Sequence, residues 1–479
     1  MSGPIDPGSF GGVVIADRPR HADPRPYSFP AFERHELPNG LGVIPVHLPG
    51  RGLLSATLVI PGGAGEEPEA QAGVTALMAR ALTEGTRRHD AVELTEAAER
   101  LGATIHAEAG WDGISVGVDV PAGRLAPALG LAAEIIAEPT FPDAEVERLR
   151  DERLNDLLQA FADPRRRADD GFVETIYAPG SPYGRPSGGT RDTVAPLDAA
   201  ACRALHGARF DPARMTLIVG GDLAGVDVVE LAEASFGGLE RARESIAAAP
   251  PSVAAAPGGR RVRVLHRPGS VQTEIRVGHV GLPRRIPDYH ALSVMSAILG
   301  GLFNSRLNRR LREEKGYTYG AGAGFELRRA AGPFAARAAV NTEVTVPATV
   351  DIIGALQAMR DGPVSDDELH AARDYLVGVF PLRFETPAAV VGAIAGLIVH
   401  DLPFDELDRY RPSIEAVGRD EVLAAAQAHV RPDDAAIVLV GDADAFLPAL
   451  EAAALGPIVV DREPLPAAPS APGEEPSHD

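Results

Sequence analysis

The sequence predicts an α+β protein built from two homologous domains, each a largely antiparallel β-sheet packed with helices. Three observations carry this. "DPARMTLIVGGDL" and "RPDDAAIVLVGDA" each run from a turn through an apolar stretch to Gly-Asp, and Pro212/Pro432, Gly221/Gly441 and Asp222/Asp442 all lie 220 positions apart. A long helix opens at matching places, near Asp143 and at Ser365, an offset of 222. A Pro/Ala/Gly-rich stretch, 247–261, divides two comparable blocks, 26–246 and 262–460. A near-constant offset across separate elements indicates a duplicated unit. The 479 residues also exceed what one hydrophobic core usually supports.

The elements follow in order. Residues 1–25, rich in Pro and Gly, are expected to be loose. "LGVIPVHL" and "LLSATLVI" have the apolar, β-branched character of strands. A helix is expected over 70–83, and a second over 91–101, where Asp90 and Glu93 form a capping box. "ATIHAEAG" and "GISVGVDV" suit a hairpin, and helices follow, including "PDAEVERLRDERLNDLL". The second block repeats the plan. It has the strand "TEIRVGHVGL", helices over 289–299 and 305–314, a hairpin from "YTYGAGAGFEL" and "GPFAARAAV", then a helix opened by the capping box Ser365/Glu368. Strands mixed with helical pairs indicate α+β with antiparallel sheets. Residues 461–479 form a Pro-rich acidic tail that cannot bury enough to fold.

Composition bounds the function. At 45% hydrophobic and 24% charged this is an ordinary globular chain. A net charge of −21 argues against nucleic acid as partner and favours cationic ligands by steering. Cys202 is alone, so it forms no internal disulfide and reads as a small helix-face residue. The N-terminus lacks a basic n-region and an apolar h-region. The longest apolar run, Ala388 to Val399, is shorter than the roughly 20 residues a bilayer needs, and reads as a buried helix. A cytoplasmic chain without membrane contact is expected. Lys315 is the only lysine, the imprint expected of a GC-rich bacterial genome.

One helical stretch, "AGVTALMARALTEGT", raises a chemical question. Ala76, Ala79 and Arg80 stand at i, i+3 and i+4, so they share a face. That is the spacing of the inverted zinc motif H-x-x-E-H. Alanine has no lone pair to give, and a guanidinium repels a cation. Neither H-x-x-E-H nor H-E-x-x-H occurs, and the thirteen His are scattered without helical metal spacing. No G-x-S-x-G or Cys/His constellation replaces them. The expectation is no metal and no cofactor in this chain. "DPRRRADD", 163–170, reads as a solvated charge cluster.

The stretch resembles the segment G-x-A-H-x-x-E-H-x-x-x-x-G-T of the M16 metallopeptidases (pitrilysin, insulysin, mitochondrial processing peptidase). Gly73, Gly85 and Thr86 match the frame, while Ala76, Ala79 and Arg80 fall where the two His and the Glu would stand. The family's third ligand, a Glu before a D-P step, corresponds to Asp156, or to Asn155 if the register slips by one. "GGLFNSRLNRRLREEKGYTYGAGAGF", 300–325, is similar to the family pattern G-G-x-x-S-R-L-x-x-x-L-R-E-x-x-G-x-x-Y. There an Arg and a Tyr contact the bound peptide near the scissile carbonyl; they correspond to Arg312 and Tyr319. A guanidinium and a phenol are directed donors where negative charge develops. Arg312 is expected near a helix C-terminus with Gly316 at C′, and Tyr319 on the following strand, sharing a face with Tyr317. Taken singly, Arg312 is a solvated charge and Tyr319 ordinary strand packing; the joint match favours the functional role. "GAGAG", 320–324, would permit close approach of a substrate backbone.

The resemblance spans about residues 30–455. It implies half of a clam-shell chamber, and a non-catalytic subunit of a heterodimeric zinc peptidase. The partner would be a subunit with H-x-x-E-H, carrying the zinc, and the substrate a peptide. An inactive M16-like scaffold or peptide-binding protein is the alternative.

Overall fold

The computed structural model describes residues 25–241 and 249–462. Of the expected loose segment 1–25 and acidic tail 461–479, residues 1–24 and 463–479 lie outside the described residues, and Asp461 is not tail but the end of a strand, Ile458–Asp461. The first sheet comprises β1 (His35–Glu36), β2 (Gly42–His47), β3 (Leu53–Pro61), β4 (Thr104–Ala109), β5 (Gly113–Pro121) and β6 (Thr216–Gly221). Its order is β1-β2-β6-β3-β5-β4. The second comprises β7 (Arg261–His266), β8 (Gln272–Val280), β9 (Ala321–Phe325), β10 (Pro333–Asn341), β11 (Ala436–Gly441) and β12 (Ile458–Asp461), in the order β12-β7-β11-β8-β10-β9.

The duplication is explicit in the pairing. β2/β6 and β7/β11 are parallel, while β3 and β8 pair antiparallel on both sides. β6 and β11 are buried at every position, which is why both read as unbroken apolar runs. Their Gly-Asp ends are matching clamps. His47 and His266 Nδ1 accept the Leu223 and Ala443 N–H, each at 3.1 Å. Asp222 and Asp442 accept the Gly50 and Gly269 N–H, at 3.0 and 2.9 Å. The capping boxes at Asp90/Glu93 and Ser365/Glu368 form as expected, because each needs only neighbours three residues apart.

Each sheet has two apolar faces, and its own half covers only one. Helix Pro164–Ile176, from the first half, lies on β8 and β11, where Ala168, Phe172 and Ile176 meet Leu265, Val438 and Val440. Helix Pro387–Val399, from the second half, lies on β3 and β6, where Val390, Val391 and Ile394 meet Ile44, Val59 and Ile218. One face of the apolar run ending at Val399, comprising Val390, Val391, Ile394 and Leu397, is therefore buried, but on the sheet of the other half. The segment 163–170 is solvated only in part: residues 163–166 and Asp169 are exposed, while Arg167 and Ala168 are buried. Asp163 caps its helix by accepting the Arg166 N–H at 2.9 Å, and Ala168 is fully buried. Asp169 accepts from Arg276 Nε at 2.7 Å, a β8 guanidinium whose side chain is 2% exposed. A buried charge on a covered sheet face needs a counter-charge from the covering element. Burial pushes the neighbouring Asp170 carboxyl up to about 6. No single helix among the described residues is long and apolar enough to cross a membrane.

Candidate functional site

The frame of the zinc-like helix is structural. Helix Val74–Ala81 starts after Gly73, at φ 99°, where a Cβ would lie 2.7 Å from the Gly188 carbonyl oxygen. Gly73 has no capping side chain, and Glu67 supplies one. Its buried carboxylate accepts the Gly73 and Thr75 N–H at 2.9 and 2.7 Å and pairs with Arg185 at 2.9 Å. Beyond the helix Gly85 takes φ 150°, and the Thr86 hydroxyl donates to Glu134, which also meets His89 Nδ1 at 2.9 Å. Gly73, Gly85 and Thr86 are thus held by the fold, whatever stands between them.

The chemical positions are differently occupied. Ala79 is fully buried in the first core, Ala76 is half-buried, and Arg80 is exposed. Arg80 reaches Glu152 on helix Asp143–Ala162 at 2.6 Å. One turn on, Asp156 is held by Arg153 and by Arg166, the latter at 2.8 Å; Asn155 is exposed. Arg80 holds the Glu152 carboxyl below its usual range, and Arg166 does the same for Asp156. Zinc needs several converging lone pairs, and the frame offers two methyls, a guanidinium and a carboxylate already paired. Zinc does not fit here. Among the described residues His266, Asp442 and Asp444 lie within coordination reach of one another, but His266 Nδ1 is engaged by the Ala443 N–H in the clamp described above.

The second segment is built around a helix that widens at both ends of its loop. Residues Ala297–Gly301 and Arg309–Glu314 are π-helical, a geometry frequent at functional sites. Most of the segment serves the fold. Ser305 caps the helix and is 1% exposed, and Leu307 and Leu311 are fully buried. Arg306 clamps Glu368 at 2.7 and 2.9 Å. Asn308 accepts the Ala321 N–H at 2.8 Å and donates to the Leu302 carbonyl at 3.2 Å, tying β9 to the helix. A Cβ on Gly300 would meet the Ala323 nitrogen at 2.1 Å, so this glycine lets β9 approach. Gly316, at φ 65°, ends the helix as expected, its N–H bonded to the Arg312 carbonyl at 3.1 Å.

Three side chains are left over. Arg312, near the helix C-terminus, has neither hydrogen bond nor ion pair among the described residues, and its guanidinium lies 4.3 Å from the Phe303 ring centre. Phe303 is 69% exposed and Tyr319 is 97% exposed. Tyr319 is not on the strand: β9 begins at Ala321, and Tyr319 sits in the bend before it. Nor does it share the setting of Tyr317, which packs on the second core. The Asn308 bond delays the start of pairing to Ala321 and leaves Tyr319 projecting. Phe303, Glu67 and Glu152 were not legible as site residues. Phe303 stands at an unspecified position of the pattern, and the two glutamates act on residues distant in sequence or a turn away from the expected ligand.

Comparison with known proteins agrees with this two-sheet fold. The family model described as Insulinase (Peptidase family M16) matches residues 46–180, and the one described as Peptidase M16 inactive domain matches 196–376. A protein from Mycobacterium leprae named an uncharacterized zinc protease is 29% identical over 60% of this chain and 64% of its own length, just under two thirds. One so named from Mycobacterium bovis is 26% identical over 85% of this chain and 93% of its own. A protein from Helicobacter pylori named a non-peptidase homolog is 22% identical over 86% and 90%. The crystal structure of a peptidase M16 inactive domain from Pseudomonas fluorescens shares the fold, with a TM-score of 0.79, 24% identity, and coverage of 86% of this chain and 98% of that one. With both family domains matched in order on two repeated sheets, the chain belongs to peptidase family M16.

Proposed function

We propose that this chain is the non-catalytic, substrate-binding subunit of a heterodimeric M16 zinc peptidase. The zinc belongs to a partner subunit with H-x-x-E-H. Arg312 and Tyr319 complete that partner's site by donating hydrogen bonds to the oxygen of the scissile carbonyl as negative charge develops on it. One observation carries the reading. In the motif segment the fold consumes Gly300, Ser305, Arg306, Leu307, Asn308, Leu311 and Gly316, and leaves Arg312 and Tyr319 without a hydrogen bond or ion pair among the described residues. Apart from the ring contact of Arg312 with Phe303, a guanidinium without a hydrogen bond and an almost fully exposed phenol add little to the fold. The degenerate helix supports the division of labour, since its frame offers no donor set for a metal.

The test is reconstitution. Neither subunit alone should cleave an unfolded peptide, and their mixture should. Alanine at Arg312 or phenylalanine at Tyr319 should lower turnover of the mixture by roughly 10²–10³, the scale of one oxyanion donor. Full activity in the double variant would rule out this role. The name of the Helicobacter relative favours a second reading, an M16-like scaffold or peptide-binding protein. That reading predicts co-purification with a partner and no peptidase activity in the pair.

A further inference from the structure

We propose that the second half carries a carboxylate-binding groove that receives one acidic residue of an extended peptide. This rests on the reading above that Tyr319, just before β9, meets peptide. The groove, of about 400 Å³, is lined by Arg165 and Asp169 of the exchanged helix, by Glu274, Arg276, Gly322 and Arg337 of the second sheet, and by Gly320 just before β9.

The internal repeat serves as a control. Pairing of β4 with β5 sets His106 opposite Gly117, and pairing of β9 with β10 sets Gly322 opposite Arg337. In the first half the edge-strand side chain fills the position, since a Cβ on Gly117 would meet His106 Cε1 at 2.4 Å. In the second half the glycine is on the edge strand. A Cβ on Gly322 would meet only the Gly300 carbonyl oxygen, at 3.5 Å, so Arg337 does not lie across its partner and the floor stays clear. A glycine floor admits a peptide backbone at close range.

The charges are arranged for one anion. Arg276 is satisfied by Asp169 at 2.7 Å and Glu274 at 2.8 Å. Arg165 and Arg337 are both exposed, and neither guanidinium has a hydrogen bond or ion pair among the described residues. In a chain with 67 acidic and 46 basic residues, two arginines from opposite halves line one concavity, neither bonded to a carboxylate among the described residues. Their planar forks suit a carboxylate held from both sides. Asp169 and Glu274 beside them repel further negative charge, which disfavours phosphate and acidic runs. The overall charge of −21 favours peptides that are not otherwise acidic, so the groove selects a single position.

The test uses the full chain alone. Titration calorimetry compares acetyl-GGEGG-amide with acetyl-GGQGG-amide at low salt. The Glu peptide should bind about tenfold tighter, the scale of one charge-assisted hydrogen bond. Arg165→Gln and Arg337→Gln should each remove most of that preference. Arg309→Gln, an exposed charge outside the groove, should leave it intact. Equal binding of the two peptides, or a preference that survives the double Arg165/Arg337 variant, overturns the proposal. No partner and no cleavage enter the measurement, so its failure is distinct from failed reconstitution.

Discussion

Replacing Ile394 with alanine should destabilise both halves of the molecule at once. Ile394 is fully buried on helix Pro387–Val399, among Ile44, Val59 and Ile218 of the first sheet. Losing three buried carbons there should lower stability by about 2–5 kcal/mol. The size of the thermal shift depends on what unfolds together. At about 2.1 cal/mol/K per residue, one unit of roughly 430 residues has an unfolding entropy near 0.9 kcal/mol/K, so Tm should fall by about 2–5 °C. If one half unfolded alone, its shift would be about twice as large and the other half would not move. Trp111, the only tryptophan, lies in the β4–β5 turn with the Arg328 guanidinium 4.3 Å from its ring centre, so its fluorescence reports contact between the halves. Far-ultraviolet dichroism reports both sheets. The two signals should give one coincident transition in the parent and in Ile394→Ala. Phe172→Ala, on the reciprocal helix, should behave alike at about 3–5 kcal/mol. Two resolved transitions, or a Trp111 signal indifferent to Ile394→Ala, would refute the reasoning that exchanged helices fuse the halves into one cooperative unit.

Other outcomes are expected. Loss of Arg312 or Tyr319 should lower turnover of the reconstituted pair with no change in Tm, because neither has a hydrogen-bond or ion-pair partner among the described residues. A matching drop in Tm would make them structural instead. The isolated chain should carry no stoichiometric zinc by elemental analysis; one zinc per chain would contradict the assignment of metal to the partner. The Arg306 guanidinium holds the Glu368 carboxyl down to about 2. Its folded pKa is thus below the unfolded value near 4.3, so the stabilisation is full above that value and fades as pH falls toward about 2. Glu368→Gln should therefore be less stable at pH 7 by about 2–3 kcal/mol, and the gap should narrow between about pH 5 and 3. A urea-midpoint difference that is constant over that range would contradict the linkage.

Much of this molecule is legible in the chain because the relevant physics is local. Capping boxes at Asp90 and Ser365 need residues three apart, Gly316 needs only its own φ, and the buried strands ending at Gly221 and Gly441 declare themselves by unbroken apolar runs. The repeat emerges because both copies keep the same Gly-Asp clamps. The degenerate zinc frame is legible for the same reason, since its glycines and Thr86 serve turns while Ala76 and Ala79 are visibly without donors. Tertiary structure decided what depends on partners far along the chain. That the helix around Phe172 covers β8 and β11, while the helix around Ile394 covers β3 and β6, follows from two sheets each exposing a second apolar face, and no periodicity encodes which helix goes where. Within the largely solvated run 163–170, the one carboxylate that serves the second sheet, Asp169, is not legible, because its counter-charge, Arg276, lies more than a hundred residues away. Tyr319 looked like a strand residue because alternation continues through it, until the Asn308 bond to Ala321 delays the pairing and leaves the phenol in solvent.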